Sequence, residues 1–274
     1  MTNEIFSFKR FHTYFKYDAT QMWRNHMKAA LGIGLFGLFA YLVYVIISLI
    51  TGSGWSGPGD DIISRFVMFM VAFTILELYQ TRTYGYLTER KRGSAWLMVP
   101  ASTFEKWLSM LIMTLIVIPL AFMLVFFAAD ALVALLDPTV EQSMLGFLFG
   151  VLKDFSTTLQ EYNEFYEVNW SLWMLLPTFV LLGLCCNFLF FLLCGLIFRK
   201  YKILGGFLIL LGLSLLLTLV STQTDSLSFS ISGGVTPETV DRLTSFLRSF
   251  NCVVAIIVAG LAGGIFWRLK TLKH

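Results

Sequence analysis

The chain has 274 residues, of which 57% are hydrophobic and 14% are charged, and its mean hydropathy is +0.75. These values exclude an ordinary soluble domain, which carries far more charge. The net charge of +3 says little alone, because the distribution of charges along the chain carries the information.

Residues 4–26 predict an amphipathic interfacial helix. Apolar residues recur at spacings of three and four, as on one face of a helix, at Phe8, Phe11, Phe15, Ala19 and Met22. Basic residues flank this face at Lys9, Arg10, Lys16 and Arg24. Such a helix favours the surface of the cytoplasmic leaflet. The alternative is a solvated helix whose aromatic side chains pack on another subunit.

Long apolar runs follow, and they dominate the chain. Each has about the 20 residues that cross a hydrocarbon layer of about 30 Å. They predict an all-α integral membrane protein with six transmembrane helices in one transmembrane domain, residues 1–274. Pro119 predicts a kink in the third run. The runs lie at residues 28–50, 62–80, 107–136, 169–198, 203–222 and 246–267.

Charge is distributed unevenly among the connecting segments. Sixteen of the 20 Lys and Arg residues lie in segments 1–28, 81–106, 199–202 and 268–274. Eleven of the 17 Asp and Glu residues lie in segments 51–61, 137–168 and 223–245. Because basic residues concentrate on the cytoplasmic side, the first set is predicted to be cytoplasmic, together with both termini.

The largest predicted external loop, residues 137–168, contains a second apolar stripe. Its members are Leu145, Leu148, Leu152, Phe155 and Leu159, and their spacing predicts an amphipathic helix on the outer leaflet or over the helix bundle. In the last external loop, Pro237 suits the first turn of a short helix before the sixth run.

Polar residues inside the apolar runs are candidate functional groups. Glu77 and Asp130 are ionisable, which indicates a functional site by default. A structural alternative is pairing, for which Arg82 is near Glu77 in the sequence. Asn187 favours a hydrogen bond between helices. No residue is predicted to be catalytic or to bind a metal, because the three histidines lie outside the runs and no phosphate-binding GxxxxGK[ST] loop occurs.

The cytoplasmic segment 88–106 is the most informative part of the sequence. Glu89 to Arg92 form a charged patch, Gly93 interrupts it, and Ser94–Val99 suit a short helix that Pro100 ends. Ser102 can cap the next helix, with Glu105 completing a capping box. A short helix between a charged patch and a sharp return to the membrane suits contact with a cytoplasmic partner.

This segment resembles the loop between the second and third spans of bacterial ABC-2 type transporter permeases, with the pattern E-R-x-x-G-[ST]-x-x-x-L-x-x-P-[AV]-S-x-x-E. The corresponding residues are Glu89, Arg90, Gly93, Ser94, Leu97, Pro100, Ala101, Ser102 and Glu105, with Lys106 at a commonly basic position and Arg92 in the charged patch. The chain has one residue fewer than the pattern between Ser94 and Leu97, so the correspondence from Leu97 onward includes a one-residue gap. The six-span layout and the basic N-terminal helix are similar too. One departure is the longest external loop, which here joins the third and fourth runs.

The resemblance implies a permease subunit of an ATP-driven ABC exporter in the bacterial inner membrane, with residues 88–106 docking on a separate ATP-binding subunit. ATP and Mg²⁺ would bind that partner, and the chain itself would hold no cofactor. The permease would pair as a homodimer, or as a pseudo-dimer with a second permease, among membrane lipids and without nucleic acid. The substrate is unknown, and spans without a charged lining favour an amphipathic one. Alternatives are an ion-coupled carrier and a non-transport assembly or sensor protein.

Overall fold

The computed structural model describes residues 6–52, 62–88, 93, 96, 98–137, 140, 142–166, 171–198, 200–223 and 237–271. Within these residues all regular structure is helical and no strand occurs, which confirms the predicted all-α class. A 3₁₀ turn at Gly85–Thr88 follows the third helix, and a π-helical turn at Met113–Val117 joins the fourth to the fifth. The α-helices are α1 (Phe8–Gly34), α2 (Phe36–Thr51), α3 (Ile62–Thr83), α4 (Thr103–Ile112), α5 (Ile118–Leu136), α6 (Met144–Tyr166), α7 (Ser171–Ile197), α8 (Lys202–Gln223) and α9 (Pro237–Thr271).

Several of these helices could cross a membrane. Four segments are long and apolar enough, and the number rises to five if Lys28–Gly34 and Phe36–Thr51, which meet at 55°, form one bent span. A shorter apolar helix covers Lys202–Gly212. The result supports a multi-pass membrane protein, whereas the count of six spans and the position of the termini stay predictions. The four segments are Ile62–Thr88, Thr103–Leu136, Met174–Ile197 and Thr244–Thr271.

The beginning of the chain differs from its sequence-based boundaries. The predicted interfacial helix does not end before the first apolar run. Helix α1 continues into that run and ends at Gly34. The helix breaks at Leu35, inside the run. No proline or glycine separates residues 8 and 31, so nothing in the sequence stops the helix earlier. At the break, a Cβ atom on Gly34 would lie 2.7 Å from the Val125 side chain, so this glycine permits close contact with α5.

The predicted irregularity near Pro119 takes the form of the π-helical turn. Met113–Val117 lies immediately before α5, and Pro119 falls in the first turn of that helix. Proline lacks an N–H and its ring crowds the carbonyl four residues earlier, so a wider turn there relieves the conflict. The polypeptide nevertheless remains helical from Thr103 to Leu136.

Two further helices correspond to predicted elements. A helix within residues 137–168 is present as α6, and Leu145 and Leu152 of its predicted apolar stripe are exposed. Its position on the outer leaflet or over the helix bundle stays a prediction. Pro237 begins α9, as expected for a proline in a first helical turn. The short helix predicted there is continuous with the following apolar run, which makes α9 a single helix of 35 residues.

The chain divides into two compact units. The first comprises Met1–Tyr79 and Phe104–Thr158, and both α1 and α2 pack on α5. Phenylalanine rings form much of its core. The ring centroid of Phe69 lies 5.1 Å from that of Phe126 and 5.9 Å from that of Phe122. The buried Phe73 extends the same cluster.

The second unit comprises Gln80–Thr103 and Leu159–His274. Here α7 packs mainly along α9, and also against α8 and the 3₁₀ turn. Gly195 of α7 faces the backbone of Thr81, and a Cβ atom at this glycine would lie 2.9 Å from the Thr81 Cα atom. The Lys202 Nζ atom donates a hydrogen bond of 2.6 Å to the carbonyl of Gly85. The first contact brings α7 close to the end of α3, and the second holds the beginning of α8 beside the 3₁₀ turn.

Candidate functional site

The predicted coupling segment is described in part. Glu89, Arg90, Arg92 and Leu97 lie outside the described residues. Gly93 and Trp96 are helical and buried, so the break expected at Gly93 is not observed, whereas Val99 and the exposed Pro100 lie in a bend. The short helix expected over 94–99 stays a prediction, because half of its residues lie outside the described part of the chain. Ser102 is half-buried immediately before α4, in which Glu105 and Lys106 are both buried.

Glu105 connects the end of this segment to the beginning of the chain. Its carboxylate is fully buried and accepts hydrogen bonds from the Arg10 Nε atom at 2.7 Å and 2.9 Å. The backbone N–H of Ser7, one residue before α1, donates to the same carboxylate at 2.9 Å. The Phe6 and Phe104 rings meet edge to face beside it, with centroids 6.1 Å apart. A buried carboxylate requires such partners, because an uncompensated charge there is very costly.

A second polar contact joins α1 to α4 one turn further along α4. The Ser109 hydroxyl donates to the Asp18 carboxylate at 2.7 Å, and both side chains are buried. Asp18 and Arg10 are two turns apart on α1. Two polar contacts therefore hold the N-terminal helix against the helix that follows the predicted coupling segment.

The predicted apolar stripe of α1 contains both buried and exposed side chains. Met22 is buried, whereas Phe8 is exposed. Phe11 and Phe15 are half-buried, and their ring centroids are 5.9 Å apart. The basic residues beside the stripe are exposed, except for the half-buried Arg10. Part of the stripe thus packs within the first unit, and its position on a membrane surface stays a prediction.

His26, near the beginning of the bent pair, contacts α3. Its Nδ1 atom lies 2.8 Å from the Tyr79 hydroxyl, and the two rings meet nearly edge to face at 5.7 Å. Burial lowers the pKa of His26 below its ordinary value of 6.5, because the charged imidazolium is poorly solvated there. The contact is therefore suited to a neutral imidazole.

Asp130 has partners on two other elements. It forms an ion pair with Arg65 of α3, whose Nε atom lies 3.0 Å from the Asp130 Oδ1 atom and whose Nη2 atom also donates to that oxygen. The Asp130 Oδ2 atom accepts the backbone N–H of Met144, the first residue of α6, at 2.7 Å. The Arg65 Nη1 atom donates to the Gln142 carbonyl at 2.9 Å. Asp130 thus joins α3, α5 and the beginning of α6.

The same unit contains a cavity of about 590 Å³ beside this ion pair. Its walls come from α2, α3 and α5, together with Gly34, and most of them are apolar. The ion pair and a few hydroxyl groups supply the polar lining. Tyr41, which lines the cavity, donates its hydroxyl hydrogen to the buried Asp137 carboxylate at 2.8 Å. Representative wall residues are Gly37, Ala40, Tyr44, Met68 and Phe126.

The remaining polar candidates have different surroundings. Glu77 is buried, whereas Arg82 is exposed. Five residues correspond to about 140° around a helix, so the two side chains do not share a face. Asn187 is exposed on α7. A hydrogen bond of the expected kind is made by Asn251 of α9, which donates to the Leu175 carbonyl of α7 at 3.0 Å.

The sequence predicted no contact for Arg65, Asp18 or Asn251, and it placed Arg10 only among the basic residues beside the apolar stripe. A usable signal existed for Arg65, because it lies near the beginning of the second apolar run and Asp130 near the end of the third. Consecutive spans are antiparallel, so these opposite charges occupy similar depths. The sequence held no such signal for Arg10 and Asp18, because charged residues are ordinary on the polar face of an exposed amphipathic helix.

Comparison with known protein families, curated proteins and solved structures finds no match to this chain.

Proposed function

We propose that this chain is the membrane-spanning permease subunit of an ATP-driven exporter of the ABC-2 type. A separate ATP-binding subunit hydrolyses ATP, and residues 88–106 dock on it. The permease operates in the bacterial inner membrane as a homodimer, or with a second permease. Its substrate is an unidentified molecule, for which amphipathic chemistry is favoured by the largely apolar helices.

One observation carries this proposal. Glu105, the last acidic residue of the sequence pattern, is buried and bonded to Arg10 and to the Ser7 N–H. It lies at the beginning of a helical segment, Thr103–Leu136, that is long enough to cross a membrane. A force applied to residues 88–106 would therefore reach α1 through the ionic contact between the buried Glu105 and the half-buried Arg10, and through the bond from the Ser7 N–H.

From α1, the proposed movement continues along the N-terminal helices. Helix α1 is continuous from Phe8 to Gly34 and joins α2 at a 55° bend. A displacement of α1 is transmitted along its length, because a hydrogen-bonded helix moves as a rigid element. ATP-dependent closure of two partner ATPases would in this way bias the apolar helices between two arrangements.

The test is co-purification of an ATPase from native membranes. The tagged chain, extracted in mild detergent, is expected to bring a protein with a GxxxxGK[ST] loop, identified by mass spectrometry. Glu89→Lys should reduce recovery of this ATPase severalfold, because it reverses a charge in the docking segment. The matched control Asp154→Lys, an exposed position of α6 on the predicted external side, should leave recovery unchanged.

Two results would contradict the proposal. One is purification of the intact wild-type chain without any ATPase under conditions that preserve its oligomeric state. The other is equal ATPase recovery with the Glu89→Lys and Asp154→Lys variants. The first would favour the ion-coupled carrier or the assembly protein.

A further inference from the structure

We propose that the cavity beside Arg65 and Asp130 holds one acyl chain of a membrane phospholipid as a resident ligand. The cavity has about 590 Å³, within the range of about 300–1,000 Å³ typical of small-molecule sites. This site is independent of the transported substrate and of ATPase coupling. It would exist even if the chain were not a permease.

The position of the cavity indicates a hydrocarbon occupant. Its walls belong to segments that could cross a membrane, namely Phe36–Thr51 with its bent partner, Ile62–Thr88 and Thr103–Leu136. No residue of α2 is buried, so this wall is open on its outer side. Water has few polar partners in such a space, whereas lipid chains surround it.

The shape of the cavity fits a chain better than a compact molecule. Along α2 its lining extends from Phe36 to Ile47, which corresponds to about 17 Å at 1.5 Å per residue. On α5 it extends over two turns, from Phe126 to Val133. A linear hydrocarbon fits an apolar space that is elongated in this way.

The charges of the cavity favour an uncharged occupant. Arg65 and Asp130 lie on its wall but neutralise each other through two hydrogen bonds. Asp130 is further engaged by the Met144 N–H, and Arg65 by the Gln142 carbonyl. The site thus presents no net charge to a ligand headgroup. An acyl chain would make apolar contacts with the rest of the wall.

A helix of a second copy does not fit this space. An α-helix with its side chains is about 10–12 Å wide, so a whole helix does not enter a cavity of about 590 Å³, although a few side chains of a second copy could. The depth of the cavity within the apolar helices, its length and its neutral wall are the reasons for which we assign an acyl chain. Insertion of side chains from a partner copy remains a distinct outcome of the test.

The experiment uses the full chain in liposomes containing phosphatidylcholine with a diazirine in the middle of one acyl chain. After illumination, adducts are mapped by peptide mass spectrometry. We expect a severalfold excess at Tyr44 and Met68 over the exposed reference positions Val180 of α7 and Ile256 of α9. The reference positions measure labelling by bulk lipid.

Two variants fill the cavity from opposite walls. Ala40→Phe acts from α2 and Met68→Trp from α3, and each should reduce the Tyr44 adduct severalfold. Ala255→Phe adds the same side chain as Ala40→Phe at an exposed position of α9 and should leave the adduct unchanged. Elution volume and melting temperature in detergent show whether each variant is folded.

The proposal is overturned if wild-type adducts are as frequent at Val180 and Ile256 as at Tyr44 and Met68. It is also overturned if a folded filling variant keeps the full Tyr44 adduct, or if protein–protein adducts replace lipid adducts at the cavity. Should both filling variants fail to fold, the distribution of adducts in the wild-type chain decides alone.

Discussion

Arg65 and Asp130 form an ion pair between α3 and α5, and the other oxygen of the same carboxylate caps the beginning of α6. Both side chains are largely buried, with exposed fractions of 13% and 9%. A single carboxylate thus holds three helices of the first unit together. Its partners give Asp130 a structural role in addition to any role in transport.

Replacing Arg65 by Met should destabilise the protein strongly. Removal of one member of a buried pair leaves an uncompensated charge and costs about 3–5 kcal/mol. The double variant Arg65→Met/Asp130→Asn should be more stable than Arg65→Met, because the buried charge is absent. The exposed Arg82→Met is the matched control. Thermal unfolding in detergent measures all four proteins, and equal melting temperatures for Arg65→Met and the control would contradict the structural role.

The contact between Arg10 and Glu105 should matter for coupling more than for ATPase docking. Arg10→Ala leaves the Glu105 carboxylate bonded to Ser7 and is expected to retain the ATPase. It should weaken the transmission of movement to α1, measured as an ATP-dependent change in the distance between spin labels on α1 and α4. Arg24→Ala, at an exposed position of α1, is the control. A full ATP response in the Arg10→Ala protein would refute the proposed route.

The sequence was sufficient to predict the helical class, α6 and the irregularity beside Pro119. Each depends on a local property: apolar length, helical periodicity or a missing backbone N–H. The break at Leu35 was not predictable in this way, because it lies within a uniformly apolar run and accompanies close contact with Val125.

Tertiary partners were harder to predict than elements. Glu105 was expected at a capping position and in a docking surface, and its contact with Arg10 joins residues 95 positions apart. Asn187 was expected to bond between helices, and this stays a prediction. The hydrogen bond from Asn251 to α7 was not predicted, because periodicity alone does not tell which side of a uniformly apolar helix faces a neighbour.

The charge distribution predicts which side of the membrane each connecting segment occupies. Single cysteines at Ser94 and Ser156, in a protein whose native cysteines are replaced, test this orientation. A membrane-impermeant maleimide should label position 156 in intact cells, and position 94 after the membrane is opened. Labelling of position 94 alone in intact cells would reverse the orientation and remove residues 88–106 from a cytoplasmic ATPase.

Gly195 should be intolerant of any larger residue. A Cβ atom there would meet the backbone of Thr81, which cannot move as a flexible side chain does. Gly195→Val should therefore cost at least the about 1–3 kcal/mol typical of overpacking. Gly183 on the same helix has no neighbouring atom within 4 Å of such a Cβ, so Gly183→Val is a matched control with little expected effect. Similar melting temperatures for the two variants would show that α7 does not pack this closely.

His26 should make the stability of the protein depend on pH. Its pKa in the folded protein is lowered by burial, whereas in the unfolded chain it stays near 6.5. As the pH falls from 6.5 towards the lowered pKa, the unfolded state binds more protons, so the free energy of unfolding decreases. Above pH 6.5 the imidazole is neutral in both states and the stabilising effect is complete. Below the lowered pKa the loss is complete and this residue adds no further change.

The measurement is the melting temperature of the purified protein between pH 5 and pH 8. His26→Gln should lose the part of the pH dependence that lies below 6.5, because glutamine does not titrate while its amide can still bond to the Tyr79 hydroxyl. His12→Gln, on an exposed part of α1, should keep that dependence. The prediction is contradicted if the melting temperatures of the wild-type, His26→Gln and His12→Gln proteins depend on pH in the same way. Protonation of His26 would then have no effect on the stability of the contact between α1 and α3.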